Sequence, residues 1–185
     1  MAKPAVFIDR DGVINVDRGY VHTVDDFEYI DGVFGACKKF KEMGYLLVLV
    51  TNQSGIARGI FSEDDFISLT EWMDWNFEDQ GIELDGIYYC PHHATEGKGE
   101  YLQDCDCRKP NPGMLISAQS DLNIDMSKSL MIGDKADDMK AAIAADVAFK
   151  VLVRTGKALT EEGEALADAV FDGIKNVPIW LSQQA

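Results

Sequence analysis

The chain has 185 residues, 46% of them hydrophobic and 26% charged, which suits one globular domain with a real core. Seventeen basic against 32 acidic residues leave a net charge of -15. That field repels nucleic acid and anionic membrane surfaces, both of which are bound through basic side chains.

No apolar run reaches the roughly 20 residues of a membrane helix, and Met1-Ala2-Lys3-Pro4 leads straight into the first strand with no visible signal peptide. The expectation is a cytoplasmic, reducing compartment. There, four cysteines suggest metal binding or catalysis rather than disulfides.

Strand-length apolar runs at 5–8, 45–50, 86–89, 130–132, 150–153 and 169–171 alternate with helical patterns at 33–43, 63–79, 113–122, 136–145 and 174–181. This alternation predicts an α/β fold, a parallel sheet covered by helices. Ser62 with Asp65 resembles a capping box at the start of the second helix. Gly44 suits a helix C-terminus and Pro112 a helix start. Trp72, Met73 and Phe77 read as core-facing positions, as does Cys37. Two stretches resist regular structure, 15–26 and 91–110, and both follow a strand. Long irregular segments in compact domains are often functional.

Chemistry-bearing residues gather at the strand ends. Asp9-Arg10-Asp11-Gly12 follows the first strand, Thr51-Asn52-Gln53-Ser54-Gly55 the second, and Gly133-Asp134-Lys135-Ala136-Asp137-Asp138 the fourth. Cys107-Arg108-Lys109-Pro110 precedes a helix. Ligands of open parallel sheets bind beyond the carboxyl ends of the strands. Each motif is weak alone; all four in this order make a strong joint signal.

The set resembles the haloacid dehalogenase superfamily of aspartate-nucleophile phosphatases over nearly the whole chain. It is similar in particular to the bacterial D-glycero-D-manno-heptose-1,7-bisphosphate 7-phosphatases, through 15–20, 51–59, 85–92, 105–113 and 133–139. The resemblance implies a single phosphatase domain over 1–185, with a three-layer, Rossmann-like sheet and no large cap domain. It implies removal of the 7-phosphate from the heptose bisphosphate, a step towards the lipopolysaccharide core. Asp9 would be the nucleophile and Asp11 the general acid and base. Thr51 and Lys109 would hold the phosphoryl group. The carboxylates of Asp9 and Asp134 and the backbone carbonyl of Asp11 would bind Mg²⁺. Lys135 beside them would trim the negative charge and favour a single metal ion, while Asp138 would orient Lys109 or the metal's waters.

The chemistry explains these residue types. A carboxylate nucleophile divides the hydrolysis into two displacements through an aspartyl-phosphate. It also faces a phosphate dianion, with a repulsion of about 4 kcal/mol per charge pair at 4 Å and effective dielectric 20. A cation must offset that.

By the same resemblance Asp17, Arg18, Gly19 and Tyr20 contact the sugar, and Asn52, Gln53, Ser54 and Arg108 bind substrate. Cys90-x-His92 and Cys105-x-Cys107 offer three thiols and an imidazole, a full set for structural Zn²⁺. Spacing alone leaves His93 open as the fourth ligand; the resemblance favours His92. The zinc would staple the 90–107 loop and aim Arg108 and Lys109.

The expected partner is a small phosphosugar, without nucleic acid or membrane, and a monomer is the default. Histidinol-phosphate phosphatase of the same subfamily is the nearest rival. A non-catalytic phosphosugar-binding module is the rival from another class, but it has no need of a paired nucleophile and acid. A polynucleotide 3′-phosphatase shares the Asp-x-Asp-Gly opening, and the acidic charge argues against it.

Overall fold

In the computed structural model, which describes residues 1–184, six parallel strands form one sheet. In chain order the elements are β1 (Ala5–Ile8), α1 (Val33–Glu42), β2 (Leu46–Asn52), α2 (Ser54–Ala57), α3 (Glu63–Asp79), β3 (Gly86–Cys90), α4 (Gly113–Leu122), β4 (Leu130–Gly133), α5 (Ala136–Ala144), β5 (Phe149–Val153), α6 (Glu161–Leu166), β6 (Ala169–Phe171) and α7 (Val177–Ser182). The strand order is β3-β2-β1-β4-β5-β6. The chain therefore winds outward from β1 to one edge, then restarts at β4 on its other side and winds to the opposite edge. The crevice at this reversal is where such sheets bind ligands.

β1 is buried on both faces, so its sequence is uniformly apolar rather than alternating. Val6 and Ile8 face a core shared with α1, α3 and α7, including Phe40, Met73, Phe77 and Leu181. Ala5 and Phe7 face a second core with α4 and α5, including Leu115, Ala118, Met139 and Ala142. Helices thus cover both faces, giving three layers. No second sheet or inserted cap domain is found among the described residues.

Local signals act where the sequence put them. Ser62 Oγ accepts from Asp65 N at 3.0 Å, and the Asp65 carboxylate accepts from Ser62 N at 2.9 Å, closing the capping box of α3. Gly44 takes a φ of +91° just beyond α1. Met73, Phe77 and Cys37 are fully buried, with Trp72 packed against them. The ends of β1, α3, α4 and β6 fall where expected, and the other strand and helix ends shift by up to three residues, as fraying termini do. Pro112 stands just outside α4 as its N-cap, one position before the first turn. The expected last helix is split into a 3₁₀ turn at Ile174–Asn176 and α7, with Pro178 in the first turn of α7. Helices α2 and α6 are too short, at 4 and 6 residues, to carry an apolar period.

Candidate active site

Asp9 and Asp11 follow β1, Thr51 and Asn52 end β2, and Asp134 follows β4, so neighbouring strands deliver all of them to one edge of the sheet. Gly12, with a φ of +88°, turns the chain away at once; a Cβ there would lie 2.6 Å from Asp134 Oδ2. Gly156 adjoins Gly12, and a Cβ on it would lie 2.1 Å from the same oxygen. The Asp134 carboxylate is thus seated against two adjoining backbones that carry no side chain.

Lys109 is the hub of the floor. Its ammonium donates to Asp138 Oδ1 at 2.7 Å and Val50 O at 3.0 Å, and lies 3.0 Å from Asp9 Oδ1. Burial alone would depress its pKa, but Asp138 and Asp9 outweigh that and hold it above the ordinary value. The backbone of Lys109 is clamped as well. Its N–H donates to Asn52 Oδ1 at 3.0 Å, and Asn52 Nδ2 donates to its carbonyl at 3.1 Å. Asp138 also accepts from the N–H groups of Asp134 and Lys135 at 3.1 and 3.2 Å, capping α5 while it grips Lys109.

Asp9, Asp134 and Asp138 each place an oxygen within 4.8 Å of the others. Burial, with carboxylate neighbours adding to it, raises the pKa of Asp9 and of Asp134, and Lys109 opposes this. Asp134 Oδ2 accepts from Lys157 N at 2.8 Å, while its Oδ1 is buried and has no partner. An all-oxygen donor set with excess negative charge and one orphaned carboxylate oxygen fits a hard divalent cation such as Mg²⁺.

Asp11 has a different setting. Its Oδ1 accepts from Arg10 Nη2 at 2.8 Å and Asn15 Nδ2 at 3.0 Å, and its Oδ2 from Gln53 Nε2 at 3.1 Å. Burial pushes its pKa up, but the Arg10 charge and these hydrogen bonds outweigh it and hold the carboxyl below its ordinary value. Arg10 itself is buried, donates to Val21 O at 2.8 Å, and lies over the rings of Phe27 and Phe66. The sequence reading missed it: an arginine inside an apolar strand end signals a partner, but not which one.

A cleft of about 310 Å³ opens above this floor. Its walls include Asp9, Asp11, Asp17, Gly19, Tyr20, Asn52, Gln53, Ser54, Arg108, Lys109 and Lys135. Thr51 lies beneath, fully buried, with its hydroxyl accepting from Gln53 Nε2 at 2.9 Å. Arg18 departs from the expected cluster. It pairs with Glu28 on the surface instead of lining the cleft, because the Gly19 turn, closed by Gly19 N donating to Asp17 Oδ1 at 3.0 Å, sends adjacent side chains different ways. Arg58 and Lys157 line the cleft without having been expected there; the Lys157 ammonium reaches Asp17 at 3.3 Å.

The second cluster lies beside the first. Cys90, His92, Cys105 and Cys107 bring three thiols and an imidazole nitrogen within 4.8 Å of one another. Zn–S bonds of about 2.3 Å in a tetrahedron set sulfurs roughly 3.8 Å apart. Cys105 Sγ stands 3.4 Å from both Cys90 Sγ and Cys107 Sγ, while Cys90 Sγ lies 2.6 Å from Cys107 Sγ, so closing on an ion draws that last pair about 1.2 Å apart. His93 is turned elsewhere, its Nδ1 accepting from Thr95 N at 3.2 Å and Glu96 N at 3.0 Å. Desolvation, then the Arg108 and Arg58 charges, lower its pKa. Glu63, at the start of α3, makes a further tie to this loop by accepting from the hydroxyls of Tyr89 and Tyr101.

A family model described as HAD-hydrolase-like matches residues 106–177. The chain is 68% identical to the D-glycero-beta-D-manno-heptose-1,7-bisphosphate 7-phosphatase of Vibrio cholerae, over 98% of this chain and 97% of that protein. It is 58% identical to the protein of the same name from Escherichia coli K12, over 100% and 97%. The chain belongs to this phosphatase family, within the haloacid dehalogenase superfamily. Among solved structures, the D,D-heptose 1,7-bisphosphate phosphatase of B. bronchiseptica, complexed with magnesium and phosphate, superposes with a TM-score of 0.81 at 28% identity, covering 98% of this chain and 99% of that one. No described helix is long and apolar enough to cross a membrane.

Proposed function

We propose that this chain hydrolyses the 7-phosphate of D-glycero-beta-D-manno-heptose 1,7-bisphosphate through an aspartyl-phosphate on Asp9. The observation that carries the reading is the convergence of Asp9, Asp11 and Lys109 on one cleft, with Asp134 beside Asp9, in a chain whose relatives at 68% and 58% identity bear that name. A phosphosugar-binding module of another class needs no buried nucleophile with a second carboxyl standing over it.

Asp9 attacks the phosphorus in line with the sugar oxygen, which leaves as Asp11 delivers a proton to it. Asp11 then takes a proton from water as that water attacks the aspartyl-phosphate, releasing phosphate and restoring both carboxyls. Arg10, Asn15 and Gln53 hold Asp11 in place through both steps. Their bonds favour its charged form, so an incoming phosphate's negative charge is what shifts Asp11 towards the protonated donor. The Lys109 ammonium neutralises charge on the transferring oxygens, with the Thr51 hydroxyl assisting below the floor. Asn52 acts by fixing the backbone of Lys109. Asp9, Asp134 and the Asp11 carbonyl would hold Mg²⁺, which supplies charge neutralisation between nucleophile and phosphate. Lys135 limits the net charge there. Asp17, Gly19, Tyr20, Gln53, Ser54 and Arg108 shape the sugar-binding walls.

Substrate choice is tested by phosphate release from both anomers of the bisphosphate, with histidinol phosphate alongside. The beta-anomer bisphosphate is expected to give the highest kcat/KM; faster turnover of histidinol phosphate would reverse the assignment.

Zn²⁺ is assigned to Cys90, His92, Cys105 and Cys107, four protein ligands that leave no open position and so make a structural site. Elemental analysis is expected to find about one zinc per chain in the purified protein, with Cys107→Ser losing it readily. Protein purified without chelators that contains no zinc would sink this assignment. Because Arg108 and Lys109 immediately follow Cys107, the variant is also expected to lose activity as the loop ceases to aim them.

A further inference from the structure

The chain has five arginines. Arg10, Arg18 and Arg154 are each ion-paired to a carboxylate. Among the described residues, Arg58 and Arg108 form no such pair, although acidic residues outnumber basic ones 32 to 17. Both line the active-site cleft. Each also keeps a buried, unpartnered N–H, Nε of Arg58 and Nη1 of Arg108. A guanidinium with an unmet buried donor carries a desolvation cost until an acceptor arrives.

The backbone brings the two together. Arg58 directly follows α2 at its C-cap, and the carbonyl of Ala57 beside it accepts from Lys98 N at 2.9 Å. The arm carrying Arg58 is thereby tied to the metal-binding loop that carries Arg108. A third element supplies a platform, because the Arg58 guanidinium lies over the Tyr20 ring, 6.0 Å from its centroid. Tyr20 is held at a φ of +52°, a conformation uncommon for non-glycine residues and concentrated at ligand clamps.

We infer that Arg58, steadied by Tyr20, is a specificity-determining residue that joins Arg108 in gripping the phosphate the enzyme does not remove. The inference rests on the bisphosphate reading above. Lys109 is already engaged by Asp9 and Asp138 on the floor, so the second phosphate needs its own cations, and these two are the arginines left free. The planar fork of a guanidinium matches a phosphate through paired hydrogen bonds, which lysine cannot reproduce.

The test compares kcat/KM for heptose 1,7-bisphosphate with that for heptose 7-phosphate, which lacks the second phosphate, in wild type, Arg58→Ala and Arg58→Lys. In Arg58→Ala the bisphosphate-to-monophosphate ratio is expected to fall about 10- to 100-fold, carried mainly by KM for the bisphosphate. Arg58→Lys is expected to recover part of the ratio, which a purely structural arginine would not require. An unaltered ratio in Arg58→Ala, whether both substrates slow alike or neither does, overturns the inference and leaves the bisphosphate reading standing. A wild-type enzyme that shows no preference for the bisphosphate overturns that reading, and this assignment with it.

Discussion

Asp9→Asn is expected to lower Mg²⁺-dependent phosphate release from the bisphosphate by about 10⁴- to 10⁶-fold, the range seen when a covalent nucleophile is removed. The substitution keeps the size of the side chain and its place after β1, but the amide cannot form the acyl phosphate. Its effect on stability should run the other way. Asp9 is buried in contact with Lys109 and beside Asp134 and Asp138. Removing its charge leaves Lys109 paired to Asp138 at 2.7 Å and relieves repulsion among three buried carboxylates. Without added metal, the variant is therefore expected to melt no lower than wild type, by calorimetry. Activity and stability moving in opposite directions is the signature of a residue retained for chemistry at a cost in stability. Phosphatase activity that survives the substitution would rule out the covalent route.

Lys109→Met should harm both properties. It strands Asp9 and Asp138, both buried, without their shared cation. Breaking a buried pair by removing one partner costs roughly 3–5 kcal/mol, which for a chain of this size lowers the melting temperature by about 6–20 °C. Activity should fall about 10²- to 10³-fold or more, since charge on the transferring phosphoryl loses its stabiliser. Added Mg²⁺ should recover more stability in this variant than in wild type, because the stranded carboxylates would then share a cation again. A melting temperature within 2 °C of wild type would show that Lys109 is not the electrostatic keystone assigned to it.

Residues that act from strand ends were legible in the sequence. Asp9, Thr51 and Asp134 each terminate a run whose apolar character marks a buried parallel strand, and adjacent parallel strands have nowhere to deliver their ends but one edge. The cysteine and histidine spacing was legible as a donor set, yet it left His92 and His93 equivalent; the turn that aims His93 at Thr95 and Glu96 settles which ring faces the thiols. Contacts between distant segments were not legible. Arg58 follows a helix of one turn, Lys157 lies in a turn after β5, and the tie of Glu63 to Tyr89 and Tyr101 spans 26 and 38 positions. Asn52 lines the cleft, and its amide also holds Lys109, a pairing across 57 positions that the sequence does not display. Arg18 was misplaced for the converse reason: its motif placed the loop correctly, but the Gly19 turn decides which side chains look inward.

The strand order carries a consequence for how the molecule is made. β1 lies in the middle of the sheet, between β2 and β4, yet it is the first strand to leave the ribosome. It can pair with β2 once residues 46–49 emerge, but its other edge waits for residues 130–132. During synthesis the nascent chain therefore carries an open strand edge for some 80 residues, the kind of surface that invites wrong pairing. That edge ends at Asp9, Arg10 and Asp11. Acidic side chains at that edge disfavour its pairing with the identical strand of a neighbouring nascent chain, so carboxylates placed for the chemistry also guard the unfinished sheet.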